Sequence, residues 1–336
     1  MKTTIALVTG GFTGEAVISL KSANVVEKNL DTEKFDVYKI IITRTSWYYE
    51  DANGFKNEID RNHFTLTLKG KIIRFDVVFI ALHGSPGEDG KLQGYFDMLN
   101  IPYTTCNALT SALTMNKGYT KAIVSDIPHL HVARSQQLFS LTQPSPEERA
   151  FNHVDLIYKT LKLPYFVKPN NGGSSIGMSK VKTKEELPDA LDKAFREDTQ
   201  VLVEEFIQGR EFTIGVYKSK NGIKALPTTE IVTSKEFFDF EAKYTPGITD
   251  EITPGRMSTE EKSRTEQIAI AVYKKLDCTG VVRIDFILKE ESNDFYFIEV
   301  NTVPGQTENS LVPQEVKAAG MTIKDFYTEL IDVTLA

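Results

Sequence analysis

The alternation of apolar runs with a helical pattern in the first hundred residues constrains the fold more than any other feature of the sequence. The runs are rich in β-branched residues, which favours buried strands. Strands separated by helical segments predict a parallel sheet whose connections cross over through helices. We therefore expect an α/β protein. The runs are "TIALVTG", "DVYKIIIT" and "DVVFIAL".

The segment after the first run has apolar residues at helical spacing, namely Val17, Leu20, Ala23 and Val26. In a parallel sheet, ligands bind beyond the carboxyl ends of the strands. The loops after the first and third runs are therefore candidates for a binding site by position alone. These loops are "TGGFTGE" and "ALHGSPGEDG".

The composition is that of an ordinary globular protein, with 336 residues, 41% hydrophobic residues and a formal net charge of −7. The length favours two or three domains, and the negative charge argues against a nucleic-acid or anionic-membrane surface. The first run is too short for a signal peptide, and no apolar stretch approaches the roughly 18 residues that span a bilayer. Cys106 and Cys278 are too few for a disulfide framework. We expect a soluble, cytoplasmic protein.

Two apolar strands near the C-terminus, "GVVRIDFIL" and "DFYFIEV", are joined by a polar turn and predict an antiparallel pair. Residues two apart on a strand point to the same face, so Arg283 lies beside Asp285, and Glu299 beside Asn301. A register that sets Asp285 opposite Glu299 would bring two carboxylates and an amide together, a donor set that suits Mg²⁺. The alternative is a surface ion pair between Arg283 and Asp285 with a solvated Glu299.

The stretch "KPNNGGSSIGMSK", Lys168–Lys180, combines glycines and serines with a preceding lysine. Glycine-rich turns direct several backbone N–H groups toward one anion, so phosphate binding is one interpretation and a flexible hairpin turn is the other. The residue order is neither that of a Walker P-loop nor that of a dinucleotide fingerprint. A long charged segment with repeated prolines and glycines, Thr233–Met257, has the length of a lid or binding loop.

Three further residues are weak candidates when each is considered by itself. His83 lies where a strand ends, and a lone histidine is more often structural. Glu15 could serve only the dipole of the helix that follows it, and Lys117 could be any exposed lysine. They become informative only in combination with the motifs around them.

Taken together, these motifs resemble the ATP-grasp superfamily, and specifically its D-alanine–D-alanine ligase family. They occur in the family's order and span nearly the whole chain, which is far more specific than any one motif. The matching stretches are "GGFTGEAVIS", "ALHGSPGEDGKLQGYFDMLNIPYT", "MNKGYTK", "YFVKPNNGGSSIGMSKV", "VLVEEFIQGREFTIGV", "FFDFEAKY", "VVRIDFIL" and "FIEVNTVPGQTENSLVP".

The resemblance implies an ATP-grasp fold, in which an N-terminal doubly wound parallel-sheet domain precedes two α+β domains that clamp ATP between them. The implied domains are residues 1–105, 106–207 and 208–336, with a lid loop at 233–257. The implied activity is ATP-dependent ligation of two D-alanines through an acyl phosphate, for peptidoglycan precursor synthesis. ATP would be the co-substrate, with two Mg²⁺ ions (or Mn²⁺ in their place). The implied assembly is a homodimer, with no nucleic-acid or membrane partner.

The family's functional residues carry over onto matching positions of this chain. The adenine and ribose would be held by Glu204, by the backbone of Glu205, Phe206 and Ile207, and by Glu211. The triphosphate would be neutralised by Lys117, Lys168 and Lys243, and the metals bound by Asp285, Glu299 and Asn301. The oxyanion hole would be formed by Arg283 and the N–H of Gly305. The substrate site would be built from Glu15, which takes the first ammonium, from His83, Glu88, Ser310 and Leu311, and from Ser174 and Tyr244, which close it.

Two details of the resemblance bear on specificity. Asn116 precedes Lys117 where the family usually has aspartate, and this change removes no catalytic group. In the family, tyrosine at the position of Tyr244 goes with an amine as second substrate, whereas phenylalanine goes with D-lactate.

The alternatives are another ATP-grasp carboxylate–amine ligase with different amino acids, or a nucleotide-binding regulator without turnover. A dinucleotide-dependent oxidoreductase is disfavoured by the glycine spacing in "TGGFTGE".

Overall fold

The chain folds into three β-sheets with helices packed against them, as a computed structural model describes for residues 2–140, 154–173, 176–233 and 249–336. The strands are β1 (Thr3–Gly10), β2 (Phe35–Ile42), β3 (Trp47–Glu50), β4 (Lys56–Asp60), β5 (Thr65–Leu68), β6 (Lys71–Ile73), β7 (Val77–Ile80), β8 (Leu130–Val132), β9 (Ser135–Phe139), β10 (Tyr165–Pro169), β11 (Ser179–Val181), β12 (Gln200–Glu205), β13 (Arg210–Ser219), β14 (Gly222–Ala225), β15 (Thr229–Thr233), β16 (Thr249–Ile252), β17 (Val281–Lys289) and β18 (Asp294–Asn301). The helices are α1 (Ala16–Asn29), α2 (Lys91–Leu99), α3 (Ala108–Met115), α4 (Lys117–Val124), α5 (described over 154–160), α6 (Leu187–Glu197), α7 (Thr259–Lys275), α8 (Leu311–Ala318) and α9 (Ile323–Leu335).

The first sheet contains the three apolar runs as β1, β2 and β7, which pair in parallel in the order β2-β1-β7. Four short strands, β3 to β6, extend this sheet on the β2 side in antiparallel fashion. The predicted α/β class and parallel core are confirmed. The antiparallel extension was not anticipated, because strands of three to five residues carry too few side chains to show a periodic pattern.

Helix α1 packs on this sheet with a more polar face than the apolar spacing predicted. Ala23 and Val26 are buried as expected, but Val17 is 60% exposed. Two serines, Ser19 and Ser22, are fully buried beside them. The sequence pattern was therefore correct about the helix and partly wrong about its buried face.

The second sheet is antiparallel, in the order β11-β10-β12-β9, and helix α6 packs on it. The third sheet has the order β16-β15-β13-β17-β18-β8, with β14 added on β13. Helix α7 covers this sheet and begins at a capping box, in which the Ser258 hydroxyl accepts from the Glu261 N–H and the Glu261 carboxylate accepts from the Ser258 N–H.

The hydrophobic cores do not follow the order of the chain. Cys106, Val124 and Leu130 pack into the core of the third sheet with β13, β17 and β18. Helix α9, at the other end of the chain, packs on the first sheet, where the rings of Tyr327 and Phe79 lie 5.5 Å apart. The division at residues 105 and 207 stays a prediction.

The sequence predicts no membrane-spanning helix and no disulfide framework. Within the described ranges, none of the helices has the length and apolarity to cross a membrane. Cys106 and Cys278 are both buried as free thiols.

Candidate active site

The hairpin of β17 and β18 carries the polar residues that the sequence singled out. Its antiparallel register pairs Asp285 with Glu299 and Arg283 with Asn301, so all four side chains share one face. The intervening Ile284 and Val300 point into the core of the third sheet. A β-bulge follows Asp285 and locally bends the strand. The strand alternation and this bulge together place two carboxylates side by side at this face.

Asp285 is heavily hydrogen-bonded. Its two oxygens accept from Arg283 Nε and Nη2, each at 2.9 Å, and also from Thr213 Oγ1 at 2.7 Å and Asn301 Nδ2 at 3.2 Å. Burial alone would lower the pKa of Arg283, but the adjacent Asp285 outweighs burial and raises that pKa above its ordinary value. Arg283 is therefore a fixed, permanently charged donor.

Glu299 is linked across the site to the glycine-rich loop by Lys117, the first residue of α4. The Lys117 ammonium lies 3.5 Å from Glu299 Oε2 and donates to the carbonyl of Gly172 at 2.7 Å. Two carboxylates at paired positions repel each other unless positive charge compensates them. Here Arg283 compensates Asp285 and Lys117 compensates Glu299.

The donor set on this hairpin fits a hard divalent cation. Asp285, Glu299 and Asn301 offer carboxylate and amide oxygens on one face, and such oxygens are the ligands that Mg²⁺ prefers. No group of three His, Cys, Asp or Glu side chains close enough to hold a metal occurs among the residues described. Beside nucleotides, Mg²⁺ usually takes its remaining ligands from phosphate and water.

A second charged cluster lies between α4 and the second sheet. Glu204 on β12 is 8% exposed and forms ion pairs with Lys168 on β10 and with Lys121 on α4. Lys121 is a residue that the sequence analysis missed. The available signal was its spacing, because residues four apart on a helix share a face and Lys121 follows Lys117 by four.

The charges of this cluster decide what it can bind. Burial alone would raise the pKa of Glu204, but Lys121 and Lys168 outweigh burial and lower this pKa to about 2. Burial lowers the pKa of Lys121 to about 8, with Lys168 acting in the same direction and Glu204 against it. At neutral pH the cluster therefore holds one negative and two positive charges, an excess that favours an anion such as phosphate.

The segment after Glu204 has the backbone and aromatic groups expected beside a nucleotide base. Phe206 stacks on Phe166 with ring centroids 5.8 Å apart, and the Lys180 ammonium lies 3.6 Å from the centroid of the Phe206 ring. The side chain of Glu205 accepts from the backbone N–H of Lys162 at 3.1 Å. Ile207 is half-buried just beyond β12, and Glu211 lies on β13 between β15 and β17.

Glu15 lies where the loop after β7 meets the glycine-rich loop. A Cβ atom at Gly84 would stand 2.6 Å from Glu15 Oε2, and a Cβ atom at Gly173 would stand 2.8 Å from Glu15 Oε1. Both distances are far below van der Waals contact, so glycine at these two positions is what leaves room for the carboxylate. Gly84 also has a left-handed φ of 68°, which side chains rarely adopt.

Glu88 and His83 lie on the same loop as Gly84. Glu88 accepts from the Gly84 N–H at 2.7 Å, and burial, aided by the charge of Glu15, raises the pKa of Glu88 to about 8. His83 is 7% exposed, and both of its ring nitrogens are engaged, Nδ1 with the carbonyl of Val303 at 2.8 Å and Nε2 with the Ser22 hydroxyl at 2.9 Å. Burial lowers the pKa of His83.

The turn after β18 presents Gly305 next to Ser310, the residue before α8. The Ser310 hydroxyl accepts from the Thr307 N–H at 2.9 Å, and a Cβ atom at Gly305 would stand 2.7 Å from it. Leu311 begins α8 and is half-buried. Three of the predicted site residues, Ser174, Lys243 and Tyr244, lie outside the described residues.

Several of the predicted residues that are described lie within electrostatic reach of one another. Arg283 contributes to the electrostatic environment of both His83 and Glu88, as does Glu15. Glu299 likewise acts on Lys121 of the lysine cluster. The hairpin, the two lysine-bearing elements and the loops around Glu15 therefore form one site.

Comparisons with known proteins agree with this geometry. A family model described as "D-ala D-ala ligase N-terminus" matches residues 4–106, and one described as "D-ala D-ala ligase C-terminus" matches residues 134–332. The chain is 42% identical over 336 residues to a D-alanine–D-alanine ligase of Bacteroides fragilis, covering 99% of each chain.

Two solved structures show the same fold. The VanG D-Ala:D-Ser ligase of Enterococcus faecalis superposes with a TM-score of 0.87 at 34% identity, covering 99% of this chain and 100% of the other. A D-alanine–D-alanine ligase of Bacillus anthracis complexed with ATP superposes with a TM-score of 0.76 at 28% identity, covering 99% of this chain and 97% of the other. The predicted ATP-grasp fold is thereby confirmed. With both family models matched and the whole chain covered, the protein belongs to the D-alanine–D-alanine ligase family.

Proposed function

We propose that this protein uses ATP to join two D-alanine molecules into D-alanyl-D-alanine, a peptidoglycan precursor. The observation that carries the proposal is the bridge made by Lys117, which contacts Glu299 of the hairpin and Gly172 of the glycine-rich loop. The next residue of that loop, Gly173, adjoins Glu15. One continuous surface thus has cationic groups for phosphate at one end and a carboxylate for a substrate ammonium at the other.

ATP would bind between the second and third sheets, in the domain arrangement 1–105, 106–207 and 208–336. Lys117 and Lys168 would neutralise the phosphates, with Lys243 from the lid. Phe206 and its neighbours Glu205 and Ile207 would contact the adenine, and Glu204 and Glu211 would hold the adenine and ribose. The excess positive charge around Glu204 supports this assignment.

Mg²⁺ would be held by Asp285, Glu299 and Asn301, whose oxygens fit it. When bound, two such ions neutralise the terminal phosphates and the charge that develops during transfer, a role that Mn²⁺ can also fill. In that state, the positive charges of Arg283 and Lys117 would be available to substrate and phosphate.

The chain's own groups account for the two steps of the reaction. In the first step the carboxylate of one D-alanine attacks the γ-phosphorus, and ADP leaves. Glu15 would hold this substrate's ammonium ion while Lys117 reduces the repulsion between the two anions. In the second step the amine of the other D-alanine attacks the acyl carbon, loses a proton and displaces phosphate. Arg283 and the Gly305 N–H would stabilise the oxyanion.

Exclusion of water is essential, because an acyl phosphate hydrolyses readily. We propose that the lid loop 233–257 supplies this exclusion, with Tyr244 and Ser174 closing the site over Glu15. His83, Glu88, Ser310 and Leu311 would form the floor around the dipeptide. Tyr244 favours an amine over D-lactate as the second substrate.

The alternative is another ATP-grasp carboxylate–amine ligase with different amino-acid specificity. The similarity to a D-Ala:D-Ser ligase favours keeping D-serine among the candidates. We further propose that the protein is cytoplasmic, since the two cysteines are free thiols, as is usual in a reducing compartment. We also propose that it forms a homodimer. Exposed apolar residues Met98 on α2 and Leu109 on α3 are available for a subunit contact.

The decisive experiment is coupled ADP release with D-alanine, with and without Mg²⁺. We expect turnover only when ATP, D-alanine and Mg²⁺ are all present, with D-alanyl-D-alanine as the product by mass spectrometry. D-Serine, D-lactate and L-alanine, each tested as second substrate, measure specificity. A lack of stimulation by D-alanine would rule the proposal out.

A further inference from the structure

A chain of buried hydrogen bonds connects helix α1 to the turn that contains Gly305. The Gln306 N–H donates to Ser22 Oγ at 3.2 Å, Ser22 Oγ contacts His83 Nε2 at 2.9 Å, and His83 Nδ1 contacts the Val303 carbonyl at 2.8 Å. Ser22 is fully buried, and Gln306 is 4% exposed. The chain begins and ends on the same turn, so it forms a closed ring around Gly305.

The two groups at the ends of the chain, the Val303 carbonyl and the Gln306 N–H, determine where the protons lie on Ser22 and His83. The Val303 carbonyl can only accept, so Nδ1 of His83 must carry a proton. The Gln306 N–H can only donate, so Ser22 Oγ accepts from it and keeps its own proton for Nε2. A neutral His83 has no proton on Nε2, which therefore accepts from Ser22. Burial also favours the neutral imidazole, because it lowers the pKa of His83.

The ring holds the turn from both sides of Gly305. His83 fixes the carbonyl two residues before it, and Ser22 fixes the N–H of the residue after it. The side chain of Gln306 is also held, since its Oε1 accepts from the Tyr327 hydroxyl at 2.9 Å and its Nε2 donates to the Pro304 carbonyl at 3.2 Å. The direction of the Gly305 N–H is consequently set by Gln306 together with groups outside the turn.

We infer that Ser22 is a positioning residue for the ligation reaction, which fixes the His83 ring by donating to its Nε2 and, through Gln306, aims the Gly305 N–H at the oxyanion. The inference rests on the proposed function, in which that N–H stabilises the tetrahedral intermediate. It also assigns His83 a role different from the expected one. With both ring nitrogens engaged, His83 orients the turn and donates no proton to substrate.

The competing explanation is that Ser22 is merely a small residue at a crowded place on α1. The substitution Ser22→Ala preserves size and separates the two explanations, because it leaves the Gln306 N–H and His83 Nε2 without their partner. We expect kcat to fall roughly 10- to 100-fold, the scale of a slightly misplaced catalytic group. The KM for ATP should stay within about twofold, because the lysines that hold phosphate are untouched.

The matched control is Ser111→Ala. Ser111 is also a fully buried helical serine, and its hydroxyl bonds to the Cys106 carbonyl at 3.2 Å, away from the site. This variant should lose a comparable amount of stability and keep its kcat. If Ser22→Ala does not fold, Ser22→Cys, which keeps a weak donor, takes its place.

The Nε2 atom of His83 supplies a readout that a packing role would not change. Nitrogen-15 NMR of the imidazoles, with His83 assigned from the His83→Gln variant, should show Nδ1 protonated and Nε2 accepting from Ser22 in the parent protein. In Ser22→Ala, Nδ1 should stay protonated because the Val303 carbonyl still accepts from it, while the Nε2 resonance should shift because this atom loses its donor. An unchanged kcat, or an unchanged Nε2 resonance with a kcat loss matching Ser111→Ala, would overturn the inference. Absence of D-alanine-dependent ADP release in the parent protein would instead refute the proposed function.

Discussion

Lys117 and Glu299 form an ion pair of 3.5 Å between α4 and β18, and the same ammonium donates to the glycine-rich loop at Gly172. Three elements distant in sequence thereby meet at one charged atom. In the proposed function this atom faces the phosphates, and Glu299 faces the metal. Changes at either end of the pair should therefore affect the same step.

Removal of the Glu299 charge should stop catalysis while the fold remains. In Glu299→Gln we expect ADP formation to fall at least about 100-fold, because one metal-binding charge is lost. The control is Glu291→Gln, in the turn of the same hairpin, where the side chain is 89% exposed. Thermal unfolding checks the fold of both variants. Mg²⁺-dependent turnover that survives in Glu299→Gln would disprove the metal assignment.

Lys121 should contribute to ATP binding although it was not predicted as a site residue. In Lys121→Met, Glu204 would be left with Lys168 alone and would hold it away from phosphate. We expect the KM for ATP to rise about tenfold, the scale of one charge-assisted hydrogen bond. The loss of a buried ion-pair partner should also lower the free energy of unfolding by about 3 kcal/mol. Lys121→Arg should restore most of the KM for ATP and most of the free energy of unfolding. An unchanged KM for ATP in Lys121→Met would contradict this assignment.

The raised pKa of Glu88 predicts a particular dependence of stability on pH. Between the ordinary pKa of 4.5 and about 8, the folded protein keeps a proton that the unfolded chain releases. Its contribution to stability is therefore complete below pH 4.5 and disappears as pH rises through 8. Relative to Glu88→Gln, the parent protein should lose up to about 1.4 kcal/mol of unfolding free energy per pH unit in this window. Urea unfolding from pH 5 to 8.5 measures the free energy of unfolding of both proteins. If the two plots of this free energy against pH run parallel, Glu88 does not carry a proton in the folded protein.

Gly173 should control the position of the Glu15 carboxylate. In Gly173→Ala the new methyl group would collide with Glu15 Oε1 and displace it from the substrate ammonium. We expect the KM for D-alanine to rise about tenfold with little change in the KM for ATP. Gly14→Ala is the control, since a Cβ there meets nothing within 4 Å. Equal kinetics in the two variants would refute the steric argument.

Tyr244 should determine the kind of second substrate, by its resemblance to the family's pattern. Tyr244→Phe should allow D-lactate to compete with D-alanine and yield the ester as well as the dipeptide. Mass spectrometry of the products from an equimolar mixture measures the ratio. A product that remains purely dipeptide would show that this tyrosine does not select the nucleophile.

The hairpin shows how far strand periodicity can predict a site. Arg283 with Asp285, and Glu299 with Asn301, share a face because residues two apart on a strand always do. The register set by the connecting turn would pair Asp285 with Ile298, and the β-bulge after Asp285 shifts the pairing to Glu299. The shared faces were therefore accessible from sequence, as were the fold class and the family, whereas the bulge that aligns the two carboxylates was not.

The partners of these residues were not accessible in the same way. Thr213 reaches Asp285 from β13, and Lys121 reaches Glu204 from α4, across 72 and 83 residues of chain. Such contacts depend on how sheets and helices pack, and local periodicity does not encode that packing. Ser22 was overlooked for a related reason, because its burial makes sense only once His83 and Gln306 are seen beside it.

The packing of α9 on the first sheet has a consequence for how the protein is made. The face that carries Ile5, Leu7 and Phe79 is completed by Phe326, Leu330 and Ile331, which come much later in the chain. During synthesis this face stays open until α9 has left the ribosome. The first sheet therefore depends on a distant helix for its final core, and a truncation before α9 would leave this sheet exposed to proteases.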